Sequence, residues 1–195
     1  MNKNPYKIRS SKIVYENNWM KVREDEITRP NGSDGVYAYI EPNDSVMIVA
    51  INERNEILLS RNFRYPIKEW AWEIPGGGTE KDETAIESAK RELAEEAGLA
   101  SDDWQIIGQP IVCNGLSTER QFALLARNVY KIDQPKSDDE GLISDEQFFP
   151  FDAVKQMILR GEISDNQSIA AIYLAELYLE NEKLGGDGGP SHNTL

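Results

Sequence analysis

Apolar positions between residues 12 and 40 come in short runs, Ile13-Val14-Tyr15, Met20-Lys21-Val22-Arg23 and Val36-Tyr37-Ala38-Tyr39-Ile40, with Pro30-Asn31-Gly32-Ser33 as a turn. Runs of that length bounded by turn residues predict a small antiparallel β annex of about three strands. Val46-Met47-Ile48-Val49-Ala50-Ile51 is continuously apolar and predicts a buried strand. Glu53-Arg54-Asn55-Glu56 then turns the chain back, with Ile57-Leu58-Leu59 as the partner strand. Two further strands are predicted at Trp104 to Cys113 and Gln121 to Val129, and Asp133 to Asp145 is a polar, acidic loop.

Between Thr84 and Gly98 the apolar period changes to that of a helix. At about 100° per residue Ile86, Ala89, Leu93 and Ala97 form one stripe, with Ala85, Glu92 and Glu96 along its edge. Thr84 and Glu87 make a capping box, and Gly98 stands where a left-handed C-terminal cap is wanted. Asp152 is predicted to cap a short helix through Leu159 that ends at Gly161, and Asp165 or Asn166 to open a longer one through Leu184. The order predicts an α/β fold, a mixed β-sheet sandwiched between helices. Its expected division is an annex at 1–42, a main domain at 43–184 and a disordered, Gly-, Pro- and Ser-rich tail at 185–195.

Composition narrows the chemistry. The only cysteine is Cys113, which excludes an intrachain disulfide, and the only histidine, His192, lies in the tail, so catalysis has to rest on carboxylates and metal. A formal charge of −13 argues against a nucleic-acid partner, because phosphate backbones are bound by spread basic surface. No apolar run is long enough to span a membrane, and the first residues lack a signal peptide's apolar segment, so a cytoplasmic protein is expected.

Glu92 and Glu96 stand one helical turn apart with Glu95 beside them, a spacing at which like charges oppose helix stability. A hard divalent cation removes that opposition, since magnesium and manganese prefer carboxylate and carbonyl oxygens with water. Arg91, four residues from Glu95, is placed to pair along the helix and orient the carboxylates, while Glu83 favours the positive helix N-terminus.

Gly77, five residues, Glu83, seven residues, Arg91-Glu92-Leu93, one residue, Glu95-Glu96, one residue, Gly98-Leu99 resembles the full signature of the Nudix hydrolases. The resemblance implies the Nudix fold and magnesium- or manganese-assisted hydrolysis of a nucleoside diphosphate linked to another moiety, with two or three ions. It implies Glu92 and Glu96 as principal metal ligands, Glu95 in the metal shell and the Gly76 carbonyl as a further ligand.

Outside that stretch the chain is similar to ADP-ribose pyrophosphatases and other nucleotide-sugar enzymes of the family. Asn62-Phe63-Arg64-Tyr65-Pro66 resembles their Gln-Tyr-Arg-Tyr-Pro run, which implies that Arg64 faces the diphosphate. Glu73 matches the glutamate of their Glu-Leu-Pro-Ala-Gly run. Trp70 and Trp72 share a direction on a strand, where one stacks on a base or both serve as core or dimer interface. Cys113 to Arg120 resembles their Ser-Pro-Gly loop followed by a glutamate, here Glu119. Asn114 replaces the proline, which weakens ADP-ribose as the specific substrate. The resemblance places the water-activating base on the acidic loop at Glu140, with Glu146 as runner-up, and makes the annex part of a homodimer. Hydrolysis of diadenosine polyphosphates or other dinucleotides, and a non-catalytic nucleotide-sugar sensor, are the alternative functions.

Overall fold

The computed structural model describes residues 4–133 and 143–186. Glu140 and most of the expected tail lie outside the described residues. The chain divides into two compact units, Met1–Asp44 with Ile111–Arg120, and Ser45–Pro110 with Gln121–Leu195.

The first unit is built on β1 (Lys7–Glu16), β2 (Met20–Thr28) and β3 (Asp34–Pro42), an antiparallel sheet with β2 in the centre. Rows such as Ile13, Arg23 and Tyr39 run across its three strands. β1 is an edge strand exposed at every residue. The segment 111–120 joins β3: the Ile40 N–H donates to the Leu116 carbonyl (2.8 Å), the Thr118 N–H to the Ile40 carbonyl (3.0 Å) and the Tyr37 hydroxyl to the Gly115 carbonyl (3.1 Å). Expected boundaries drawn along the sequence leave this segment with the main domain. Contacts assign it to the annex.

The second unit contains β4 (Ser45–Ala50), β5 (Glu56–Arg64), β6 (Glu69–Glu73), β7 (Gly76–Gly78), α1 (Ala85–Ala97), β8 (Leu99–Ala100), β9 (Asp103–Gly108), β10 (Gln121–Arg127), β11 (Tyr130–Lys131), β12 (Ile143–Pro150), α2 (Phe151–Leu159) and α3 (Asn166–Lys183). One sheet has the order β7-β4-β10-β9, another β12-β5-β6, and β8 pairs with β11. Alternation along β4 explains its unbroken apolar run. Val46, Ile48 and Ala50 pack with Ala89, Leu93 and Ala97 of α1, whereas Met47, Val49 and Ile51 pack with Ala171, Ile172 and Ala175 of α3. The expected mixed sheet between helices is therefore observed. No helix among the described residues is long and apolar enough to cross a membrane.

Three local expectations need correction. β5 is not the hydrogen-bonded partner of β4: an isolated bridge, Ile51↔Ile57, closes the turn between them, and β4 lies instead between β7 and a parallel β10. A strand apolar on both faces belongs in the centre of a sheet, and the tight turn does not override that. The strand from Trp104 stops at Gly108, ahead of Pro110, which has no N–H for a ladder. Asp152 does not cap α2. The cap position is Pro150, with no side-chain hydrogen bond, and Asp152 lies in the first turn paired with Lys155 at 2.9 Å.

Candidate active site

The capping box forms as expected, with the Thr84 hydroxyl accepting from the Glu87 N–H (3.3 Å) and Glu87 accepting from the Thr84 N–H (2.8 Å). Gly98 closes α1 at φ 64°, a left-handed conformation that glycine adopts without a Cβ penalty. With both ends fixed and the apolar stripe buried, the carboxylate edge of α1 is held against the strand β7.

Arg91 organises that edge. Its Nε donates to Glu83 (3.0 Å), Nη1 to Glu92 (2.8 Å) and Glu95 (3.1 Å), and Nη2 to the Gly78 carbonyl (3.0 Å). Glu83 also accepts from the Ser88 hydroxyl (2.7 Å), and the Arg91 and Ser88 hydrogen bonds hold its carboxyl down at about 2. The Gly76 N–H donates to Glu96 (3.1 Å). Burial raises the Glu96 carboxyl to about 7 against that hydrogen bond, with the charges of Glu92 and Glu73 pushing the same way. Burial likewise raises Glu92, opposed by Arg91.

Gly77 explains why a glycine opens the helix unit. A methyl group there would lie 2.3 Å from Glu92 Oε1. The backbone thus comes against the carboxylate, and a side chain there would displace it.

The chemistry of this donor set fits magnesium or manganese. It is all oxygen, two of its carboxylates are partly buried, and burial raises the proton affinity of both. Among the described residues no group of three or more carboxylate, histidine or cysteine side chains is gathered tightly enough to hold an ion alone. Carbonyl, water and substrate oxygens have to complete the shell, as is usual for magnesium.

Beside the carboxylates lies a cavity of about 420 Å3, lined by Ser45, Arg64, Glu73, Gly76, Gly77, Ser164, Asp165 and Gln167 among others. β5 and β6 pair so that Ser60 stands opposite Glu73 and Arg64 opposite Glu69. Arg64 donates from Nε (2.9 Å) and Nη2 to the nearly inaccessible Glu73, and its own side chain stays 54% exposed. Arg64, Glu73 and Gly76 of the expected site thus come together, and the Arg64 and Glu73 charges both act on Glu96.

Other expected residues fall elsewhere. Trp70 lies on the face of β6 opposite Glu73, tilted against Phe63 at 5.5 Å and 6.0 Å from Arg61, and does not line this cavity. Trp72 packs into the core edge-on to Phe149. Glu146 of β12 is in register with Ser60 and lines a different cavity of about 410 Å3 with Lys131 and the end of α1. Glu119 lies in the first unit, where its carbonyl accepts from the Val112 N–H at 3.3 Å.

Sequence reasoning did not single out Ser164 and Gln167 and read Asp165 only as a helix cap; all three enter from the start of α3. It also passed over Ser60 and Asn62. Their alternation with Leu59, Arg61 and Phe63 on the way to Arg64 was the available signal for a polar row on one face of β5.

Comparison with known proteins shows the family and the fold. Residues 41–172 match the NUDIX domain, and residues 6–40 match the nucleoside diphosphate sugar hydrolase N-terminal domain. An ADP-ribose pyrophosphatase of Mycobacterium tuberculosis is 26% identical over 164 residues, 84% of this chain and 79% of that protein. The ADP-ribose pyrophosphatase of Bacillus subtilis is 23% identical over 78% of this chain and 83% of its own length. A methanol dehydrogenase activator of Bacillus methanolicus is 24% identical over 84% of this chain and 89% of its own. The crystal structure of an ADP compounds hydrolase shares the fold with a TM-score of 0.82 at 18% identity, over 93% of this chain and 98% of that one.

Proposed function

The chain belongs to the Nudix hydrolase family, and from that premise we propose that it hydrolyses the diphosphate bond of a nucleoside diphosphate sugar of the ADP-ribose type. The products are a nucleoside monophosphate and a sugar phosphate. The observation that carries the reading is the pair of partly buried carboxylates, Glu92 and Glu96, set by Arg91 and the Gly76 N–H next to a cavity lined by Arg64.

In this reading Glu92, Glu96 and the Gly76 carbonyl, with Glu95 at the outer side, hold magnesium or manganese. When bound, the metal neutralises the leaving phosphate and makes water acidic enough to attack near neutral pH. Arg64 grips the diphosphate with a planar, permanently charged guanidinium, and Glu73 fixes its plane through Nε and Nη2. Arg91 holds the carboxylate edge in place. The base that takes the proton from water is assigned to Glu140, with Glu146 as the alternative.

The annex at 1–42 is proposed to form a homodimer interface in a cytoplasmic enzyme. Its support is apolar exposure on a three-stranded sheet with an open edge at β1: Ile13 is 42% exposed, Tyr15 52%, Trp19 75% and Val36 56%. Sedimentation equilibrium at micromolar concentration is expected to give twice the chain mass. A monomer mass removes that part of the proposal.

The test of the activity is a panel of ADP-ribose, GDP-mannose, other nucleotide sugars and diadenosine polyphosphates, each with magnesium and with manganese. Turnover of a nucleotide sugar at the highest kcat/KM is expected. Preference for a dinucleotide, or binding without turnover, would replace the reading by a dinucleotide hydrolase or a sensor.

A further inference from the structure

We infer that Ser168 is a positioning residue for the Gly76–Glu96 contact, acting from the first turn of α3 through the backbone of residues 74 to 76. The inference rests on the hydrolase reading above. Ser168 is fully buried, and its hydroxyl oxygen accepts from the Ile74 N–H at 3.2 Å, a contact between residues 94 apart in the chain. Ile74 is 2% exposed, so this N–H has no recourse to water.

The following groups are pinned in turn. The Pro75 carbonyl accepts from the Ile48 N–H (2.8 Å), and the Gly76 N–H donates to Glu96 (3.1 Å). Pro75 itself has no N–H. Ser168 therefore supplies a side-chain anchor for the backbone just upstream of the peptide that meets the Glu96 carboxylate.

The anchor is itself held. Asp165 caps α3 by accepting from the Ser168 N–H at 2.7 Å, and the buried Gln121 donates from Nε2 to the Gln167 carbonyl at 3.1 Å. Since β6 passes directly into β7 through Ile74 and Pro75, loss of the anchor frees the strand exit next to the carboxylates. A bulk core contact lacks that consequence. Ser168 makes a directional bond to the backbone that carries Gly76.

Ser168→Ala removes the acceptor, and Ser168→Cys keeps the bulk while weakening it, so that Cys is the variant measured if Ala does not fold. Ala175→Gly, in the same helix but farther along it, is the control for plain destabilisation of α3. Two quantities are read on each folded protein: kcat and KM for the nucleotide sugar, and Mn2+ affinity by electron paramagnetic resonance without nucleotide.

Expected for either Ser168 variant is a fall in kcat of about tenfold or more with KM within about twofold, and Mn2+ binding weakened by about threefold or more. Ala175→Gly leaves both near wild type despite a lower melting temperature. If the Ser168 variants behave as the control does, Ser168 only stabilises the helix and the inference is overturned. A wild-type protein that binds Mn2+ but cleaves no nucleotide sugar refutes the substrate reading alone, and the Mn2+ titrations still decide on Ser168. Should wild type bind no Mn2+ either, both fall.

Discussion

Replacing Gly77 by alanine isolates the carboxylate edge of α1 from the stability of the fold. Gly77 does not occupy the left-handed region, so alanine meets no backbone strain there. Its Cβ would stand 2.3 Å from Glu92 Oε1, whereas ordinary contact begins at 3.4 Å, so the carboxylate has to retreat by about 1.1 Å, the difference between the two. Glu92 Oε1 is the end of a flexible side chain and can swing, at the expense of its 2.8 Å bond to Arg91. Loss of a partly exposed ion pair costs about 0–1 kcal/mol, a melting shift of at most about 4 °C in a chain of this size. A displacement of about 1 Å in a group that positions the reaction costs about a hundredfold in rate, or about 2.7 kcal/mol of transition-state stabilisation. Catalysis therefore suffers more than folding. Initial rates at saturating magnesium, with a thermal melt of the same preparation, measure both. Gly76→Ala provides the contrast, because its Cβ meets the Val46 carbonyl oxygen at 2.4 Å, and backbone does not step aside. That variant loses about 1–3 kcal/mol of stability. A Gly77→Ala enzyme with wild-type kcat would show that the position of Glu92 does not matter to turnover.

Glu96→Gln keeps the volume and an acceptor for the Gly76 N–H but removes the charge, so kcat falls by roughly a thousandfold while the fold persists. In EDTA the same variant is at least as stable as wild type above pH 7, because a carboxyl raised from 4.5 to about 7 makes wild type lose stability as pH rises through that interval. Urea titrations at pH 5 and pH 8 check the sign, and a larger deficit for Glu96→Gln at pH 8 contradicts it. Glu83 has the opposite dependence: held down at about 2 by Arg91, it stabilises above pH 4.5 and that contribution disappears as pH falls through 2. Glu83→Gln is accordingly less stable than wild type at pH 6, and the gap closes in acid unfolding. Glu140→Gln lowers kcat with little change in Mn2+ affinity, as removal of a general base does, whereas a severe effect of Glu146→Gln alone transfers the role to β12.

The helix unit from Gly77 to Leu99 was legible in the sequence because everything that makes it is local. The capping box, the left-handed glycine, the 3.6-residue stripe and the Arg91–Glu95 pair all act within one helix and its two ends, so spacing along the chain is also spacing in space. The same holds for the annex strands and for the N-cap of α3 at Asp165. Pairing of β4 with β10 instead of β5 was not legible, since an apolar run tells that a strand is buried but not which strand lies beside it. Nor could spacing place Trp70: alternation along β6 sets Trp70 and Trp72 on the face away from Glu73, but which of the two faces borders the cavity is decided only by the packing around β6, and that face is the one of Ala71 and Glu73. Association of Ile111–Arg120 with the annex depends on backbone hydrogen bonds to β3 across more than seventy residues of sequence, such as the one from the Ile40 N–H to the Leu116 carbonyl. The approach of Gly77 to Glu92 and of Ser168 to Ile74 likewise exists only once the helices are packed on the sheets. Local chemistry named the carboxylates, and long-range packing decided what surrounds them, because a side chain's neighbours across a core are set by the whole arrangement of layers and not by the residues next to it.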